Sequence, residues 1–311
     1  MINISEPRPD HFAKRSDSIS LIVVAAHLSI VLLPVYVAAA LGPGWNTVIC
    51  WALFGTSMNG ILNLMHECAH YHVFRERRWS DALGRFLLGP MVLANFDSYR
   101  RRHWDHHRFV GVDGETKDTY LIDIQGKNLF WFWCRCAFMI EAARRFAGQI
   151  SSRAAATGDG GVPIWRVLAF HAVFLLSLLG VSFAFNRSKG LEITAVSALV
   201  SYGVVFVYGL ASLTAFMAAL RAIAEHQQYD ERSAHQGYAA LRNFSCNKLS
   251  RLLMGCYGFG EHYTHHQIPG IPYYHLPAAA RKAAESDPAA LATKGYFQVL
   301  GEIVVSANAH R

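Results

Sequence analysis

Charge is what this 311-residue sequence has least of: 16% of its residues are Asp, Glu, Lys or Arg, against about 25% in a typical soluble domain. That shortage excludes an ordinary water-exposed surface and points to surface that faces lipid. The charge that is present is unbalanced, at a net +7. A basic membrane protein, whose cytoplasmic loops collect Lys and Arg, explains the imbalance better than a nucleic-acid partner does. Cysteine is sparse and unpatterned. Cys50, Cys68, Cys134, Cys136, Cys246 and Cys256 form no C-x-x-C pair, which excludes a zinc ribbon or a thioredoxin-type site. Several lie in or beside apolar runs and read as packing thiols. No cleavable signal peptide is expected from the sequence either. Residues 1–17 are polar and hold Pro7 and Pro9, so they read as a soluble arm.

What the sequence does have is long apolar segments. Four reach the ~20 residues that a bilayer requires: about Ile19–Leu41, Trp45–Leu64, Trp165–Phe185 and Ile193–Leu220. Only Gly42, Pro43 and Gly44 separate the first pair, and a short loop around Asn186–Leu191 joins the second, so the spans read as two hairpins opening on one side. Between them lie Arg75, Arg77, Arg78, Arg85, Arg100, Arg101, Arg102, Arg108, Arg144 and Arg145, whereas the far-side turns carry only Arg187, Lys189 and Glu192. The positive-inside rule assigns both termini and the arginine-rich segment to the cytoplasm. Leu83–Phe96 and the aromatic-rich Leu129–Ile140 are too short to cross and are expected to be interfacial, re-entrant or cap helices. Ser151–Gly161 is small and Gly-rich and reads as a loop.

The expected fold is therefore an all-α integral membrane protein over residues 1–311. Its parts are a cytoplasmic arm (about 1–18), four spans (about 19–220) enclosing a cytoplasmic segment (about 65–164), and a C-terminal part (about 221–311). The two cytoplasmic parts are expected to form a helical cap holding the histidine clusters.

Those clusters are the informative feature. They read His66-Glu67-Cys68-Ala69-His70, His103-Trp104-Asp105-His106-His107 and His262-Tyr263-Thr264-His265-His266. On a helix, positions i, i+3 and i+4 share a face, so each cluster can aim two or three imidazoles at one point. With 16 histidines in the chain, H-x-x-H-H is expected about 0.04 times by chance and twice about once in a thousand shuffles. All three clusters come after the cytoplasmic ends of spans, so the eight imidazoles can meet. Eight nitrogens are too many for one tetrahedral zinc and suit two metal ions with open positions. A ninth candidate, His226, lies just past the fourth span, with Arg221 and Glu225 beside it. Its bland reading is a satisfied interfacial histidine; Glu225 is a candidate to orient a ligand. The remaining histidines are left as non-ligands by default, although the roles of His72 and His235 are open.

The three boxes HECAH, HWDHH and HYTHH resemble those of the membrane fatty acid desaturase family, over nearly the whole chain. The stretch Pro269-Gly270-Ile271-Pro272-Tyr273-Tyr274-His275-Leu276-Pro277 is similar to the segment after the third box in acyl-lipid members, and Arg108 and Gly111 fit less distinctively. The resemblance extends to small bacterial members of the dihydrorhizobitoxine-desaturase type. It implies a non-haem centre of two irons held by His66, His70, His103, His106, His107, His262, His265 and His266, with His226 matching an extra histidine of some members. It also implies an enzyme that uses O₂ and two electrons to introduce a C=C bond into a fatty-acyl or other lipid-like alkyl chain. No cytochrome b5-type HPGG or ferredoxin cysteine cluster occurs in the chain, so a separate ferredoxin- or cytochrome b5-type donor is expected. A bacterial inner membrane is expected rather than the endoplasmic reticulum.

Within this reading, a hydroxylase or carotenoid ketolase is the alternative. Two others are weaker. His66-Glu67-Cys68-Ala69-His70 is literally the H-E-x-x-H of a zinc protease with Glu67 as base, but that leaves two boxes unexplained. A metal transporter needs polar groups along its spans, and these offer little beyond His27, His171, Asn59 and Asn63. The topology is testable: reporter fusions at Pro43 and Ser188 are expected on the side opposite to fusions at Asp159 and the C-terminus. All four on one side would break the shared-site argument.

Overall fold

A computed structural model of the chain describes residues 15–110, 129–151, 162–190, 195–226 and 241–309. Most of the expected N-terminal arm, the Gly-rich stretch and His235 lie outside these residues. The described chain is helical, with no strand among the described residues. Four helices are long and apolar enough to cross a membrane: α1 (Asp17–Leu41), α2 (Trp45–Ala69), and, further along, Ile164–Ser188 and Val196–His226.

The ends of these helices are written locally. Ser16 caps α1 by accepting a hydrogen bond from the Ile19 amide, and Gly42 ends it at φ 81°, a left-handed conformation that suits glycine. Helix α2 then starts at Trp45 and packs along α1, where the His27 Nε2 lies 3.2 Å from the Ser57 carbonyl.

Between the second and third spanning helices, the described residues form α3 (Arg77–Leu83), continued by short helical turns over Gly84–Leu88 and Gly89–Met91, then α4 (Phe96–Phe109), α5 (Leu129–Ala137) and α6 (Ile140–Ser151). Asn95 caps α4, its side chain accepting from the Asp97 and Ser98 amides at 3.0 and 3.1 Å. The apolar Leu83–Phe96 stretch buries Leu88, Met91 and Phe96, while α5 leaves Phe130 and Trp131 exposed and turns into α6 at Met139, φ 58°.

Helix α7 (Ile164–Ser188) packs on α1 through Tyr36, whose hydroxyl is 2.8 Å from the Ser177 hydroxyl. Helix α8 (Val196–His226) is π-wound over Ser201–Tyr208 and Leu210–Thr214, with Gly209 set against the Phe54 ring.

The direction of α8 decides where the site forms. The Thr214 hydroxyl donates to the Gly55 carbonyl at 3.0 Å, the Trp51 indole to Ser212 at 3.4 Å, and Arg221 bonds Asn63. Residue numbers rise together in these contacts, so α2 and α8 run parallel and their C-terminal ends meet. Both helices also run further than the sequence suggested. The second span was expected to end at Leu64 and the fourth at Leu220; the helices continue to Ala69 and His226. At 1.5 Å per residue, 25 residues extend about 38 Å, beyond a ~30 Å hydrocarbon layer. The first box and His226 therefore stand on the last turns of the spanning helices themselves. The helical backbone carries on past its apolar stretch, so these histidines are positioned by the long helices.

The chain after α8 closes over this end. It contains α9 (Lys248–Leu253), a tight turn at Cys256–Glu261, α10 (His262–Gln267), α11 (Leu276–Ala283) and α12 (Tyr296–Ala309). Two polar residues of α2 hold it down. Asn59 donates to the Leu253 carbonyl at 2.9 Å, and Asn63 to the Met254 and Cys256 carbonyls at 3.3 and 3.0 Å. The span polarity considered for a transport path is thus bonded inside the protein: these two asparagines, His27 on Ser57, and His171, 2.9 Å from the Tyr202 hydroxyl. Asn63→Leu would remove the donor from the buried Met254 carbonyl and the partly buried Cys256 carbonyl, at about 1–3 kcal/mol for a buried group. It is expected to lower the unfolding temperature in detergent, measured by thermal scanning fluorimetry; an unchanged temperature would rule out the clamp.

Candidate metal centre

Each histidine box is placed by a different local device. Box one occupies the final turn of α2, where Tyr71 at φ 60° stops the helix just after His70. Box two lies on α4, and Arg100, three residues before His103, anchors it. Its guanidinium pairs with Asp81, donates to the Tyr71 hydroxyl at 2.7 Å and stacks on the Tyr71 and Phe96 rings at 4.2 and 4.6 Å. One side chain thereby ties the end of box one to the start of box two.

Box three opens α10 directly after a turn in which Tyr257 and Gly258 take φ of 58° and 73°. A Cβ on Gly258 would lie 2.7 Å from a Leu276 methyl and 3.1 Å from the Tyr273 carbonyl, so the turn admits only glycine there. Arg221 of α8 stacks on Phe259 at 4.3 Å, and Phe259 packs on His66 at 4.6 Å between ring centroids.

The structure brings together all nine histidines named from the sequence. Potential ligand atoms of His66, His70, His103, His107 and His265 lie within 4.8 Å of one another, as do those of His106, His226 and His266, and those of Glu225, His226 and His262. The result is two adjacent pockets. His107 and His266, stacked at 4.3 Å, stand between them. In the first pocket the His103 Nε2 lies 2.7 Å from that of His70 and 3.0 Å from that of His107, which is 3.2 Å from that of His265. In the second, the His262 and His226 Nε2 atoms are 3.0 Å apart. Two ligands at right angles, each about 2.1 Å from a metal, would be about 3.0 Å apart, so these are spacings of a ligand set. All but the half-buried His226 are buried.

His266 tests the fit of a cation most directly. Both its ring nitrogens are buried with no hydrogen-bond partner among the described residues, a costly arrangement unless something else takes a lone pair. Burial, and then the imidazoles of His262, His107, His106 and His226, hold its pKa well below the ordinary value. It is therefore neutral at neutral pH, the form that ligates metal.

Two carboxylates lie beside the pockets. Glu67 Oε1 lies 2.8 Å from His66 Nδ1 and its Oε2 lies 3.0 Å from His72 Nδ1. The H-E-x-x-H reading would need this carboxylate free to act on water; both its oxygens instead engage imidazoles. The role of His72 was open in the sequence, since on a continuing helix it would point away from His70. The helix stops, and the left-handed Tyr71 returns His72 to Glu67 and stacks it on His70 at 5.2 Å. On the other side, Glu225 Oε2 lies 4.0 Å from His262 Nε2, and its Oε1 lies 3.0 Å from the Tyr296 hydroxyl, itself 2.8 Å from the Phe259 carbonyl. Tyr296, fully buried and stacked on Phe244 at 3.7 Å, has no local signal in the sequence; only the fold brings α12 here.

Comparison with known proteins agrees with this architecture. The profile described as "Fatty acid desaturase" matches residues 43–297. The chain belongs to the fatty acid desaturase family. Similar proteins include the sphingolipid delta(4)-desaturase DES1 of Homo sapiens, 28% identical over 261 residues that cover 78% of this chain and 67% of the relative. The DES1 of Mus musculus is 25% identical over 283 residues, covering 85% and 73%. The human protein named sphingolipid delta(4)-desaturase/C4-monooxygenase DES2 is 25% identical over 260 residues, covering 78% and 68%. Membership makes this chain an oxidoreductase with a lipid-type substrate, and its buried histidine cluster fits a metal site.

Partners that orient a ligating histidine typically contribute 10–100-fold in metal affinity. Glu67→Gln is expected to weaken metal retention by about that factor, read by metal analysis after dialysis against a graded chelator, with an unchanged elution profile. Wild-type retention would show that Glu67 does not orient His66.

Proposed function

We propose that the chain is an O₂-dependent desaturase that holds two iron ions and forms a C=C bond in the alkyl chain of a lipid. One observation carries the reading: nine imidazoles from four separate stretches converge in two adjacent pockets at the joined ends of α2 and α8. His66, His70, His103, His107 and His265 would hold one ion, and His106, His226, His262 and His266 the other. Four or five nitrogens per pocket, with no thiolate among them, suit iron better than a structural tetrahedral zinc.

When bound, the ions would supply the O₂ activation that an unactivated C–H bond requires. The reaction balances as –CH₂–CH₂– plus O₂, two electrons and two protons, giving –CH=CH– and two waters. The protein's own contribution is positional. Glu67 would fix ring orientation at His66, and Glu225 stands beside His226 and His262 as a further group that could hold a metal. Burial keeps bulk water from the pockets, and Phe259 packs against His66 from the box-three side. Exposed Phe130, Trp131 and Phe138 suit contact with the lipid surface from which an alkyl chain would come.

The relatives' names support a sphingolipid-type substrate. One of them pairs desaturation with C4 mono-oxygenation, which favours hydroxylation as the second reading; the two outcomes diverge only in how the substrate carbon is placed after the first hydrogen is removed. We place the site on the cytoplasmic face, from the arginine distribution, and assign electron supply to a separate protein.

Purified protein is expected to hold about two irons per chain, and one zinc with no iron would overturn the reading. His106→Ala is expected to cut turnover by more than the roughly 100-fold upper range seen for loss of an outer hydrogen-bond partner, with membrane insertion intact. Lipid profiling of cells with and without the protein should show a product two hydrogens lighter than its precursor. A product one oxygen heavier would support hydroxylation instead.

A further inference from the structure

One cation at the membrane edge has aromatic rings for neighbours. Arg166 stands in the first turn of α7, which is 25 residues long. Such a helix extends about 38 Å and overruns a ~30 Å hydrocarbon layer at its ends. Its first turn therefore lies at the level of the lipid headgroups. Arg166 heads the row that continues through Phe170, Phe174 and Leu178, and Phe174 and Leu178 are buried against the rest of the protein. The adjoining Trp165, 63% exposed, and Leu168, 64% exposed, turn outward.

The guanidinium is held by aromatic faces. Its carbon lies 4.7 Å from the centre of the Phe86 ring and 5.2 Å from that of Trp165, and the two rings are 6.4 Å apart. Phe86 comes from the turn over Gly84–Leu88 and is itself 55% exposed. The three side chains thus close the seam between α7 and that turn. The Arg166 Nε is buried with no hydrogen-bond partner. Asp81 and Asp97, the acids flanking the turn, both pair with Arg85, and Asp81 pairs with Arg100 as well. No described carboxylate pairs with Arg166.

A guanidinium beside hydrocarbon without a partner charge is costly. Snorkelling to water would relieve that cost, but the two rings hold this one down. We infer that Arg166, set between Phe86 and Trp165, binds the phosphate of a membrane phospholipid at the junction of α7 and the Gly84–Leu88 turn. A planar fork of N–H donors matches two phosphate oxygens at once. Exposed Phe86, Trp165 and Leu168 then meet the glycerol and acyl chains of the same lipid. The bound lipid also reaches box two. Arg85, next to Phe86, pairs with Asp97 at 2.8 Å in the first turn of α4. The lipid therefore ties the third span to the helix that carries His103, His106 and His107. The site takes no part in the proposed reaction and stands independently of the desaturase reading.

The test titrates delipidated full-length protein in detergent with dioleoylphosphatidylglycerol and counts retained lipid by native mass spectrometry. One parallel series uses dioleoylglycerol, which has the same chains and no phosphate, and another adds inorganic phosphate as competitor. Wild-type protein is expected to retain one phosphatidylglycerol at least about tenfold more tightly than dioleoylglycerol. Arg166→Leu is expected to weaken that phosphatidylglycerol by at least about tenfold, with an unchanged elution profile. Arg166→Lys, which keeps the charge without the fork, should fall between the two. Arg187→Leu, which removes an exposed cation from the other end of α7, should bind as wild type does.

Equal phosphatidylglycerol retention in wild type and Arg166→Leu would overturn the proposal. So would an equal loss in Arg187→Leu, the result that general attraction between basic residues and an anionic lipid would give. Dioleoylglycerol held as tightly as phosphatidylglycerol would show an apolar groove only, and phosphatidylglycerol displaced by millimolar inorganic phosphate would show a free-anion site; either overturns it. If Arg166→Leu does not purify folded, Arg166→Lys decides, and wild-type retention in that variant overturns the proposal.

Discussion

Everything in this protein is arranged around nine imidazoles pressed together away from water. Nitrogens 2.7–3.2 Å apart in a buried pocket are costly to assemble. Each brings a lone pair or a proton that water would otherwise satisfy, and none can be protonated without charging a dry cavity. A shared cation resolves this for every ring at once, which is why the cluster reads as a metal site even before its family is considered. The rest of the structure serves to hold those rings in place against their own preference for water.

The supports share a common pattern: each box is fixed by a residue that also fixes a neighbouring element. Arg100 links α2, α3 and α4. Asn63 links α2 to the turn before box three and, through Arg221, to α8. Tyr296 ties the last helix to Glu225. Because these links are shared, the pockets are properties of the closed assembly and not of any one helix. The parallel run of α2 and α8 matters most. It puts two helix ends on one side, so that box one and His226 meet without a long connecting loop.

Much of this was legible from sequence. Apolar runs of about 20 residues report spanning helices because lipid tolerates little else. H-x-x-H-H reports a shared helical face because helical periodicity leaves no alternative. Span ends were less legible. Trp45 to Ala69 stays helical after its hydrophobicity falls, because backbone hydrogen bonding continues once begun and polar His66, Glu67 and His70 find partners at the protein interior. Roles were not legible where a residue's partner is distant or on an interrupted helix. The local motif around Glu67 offered only the weaker protease alternative, because its second partner, His72, reaches it only through the left-handed Tyr71.

Composition and spacing alone therefore define an all-helical membrane chain with three histidine boxes, since both depend on interactions within one helix or between one helix and lipid. Which histidines face which pocket, which carboxylate lies beside which ring, and that Arg166 meets Phe86 are decided by packing between distant segments. The bond from Asn59 on α2 to Leu253 on α9 joins residues 194 positions apart. No periodicity within a segment encodes such a contact. It exists only once α2 and α8 lie side by side and the C-terminal helices have closed over their ends.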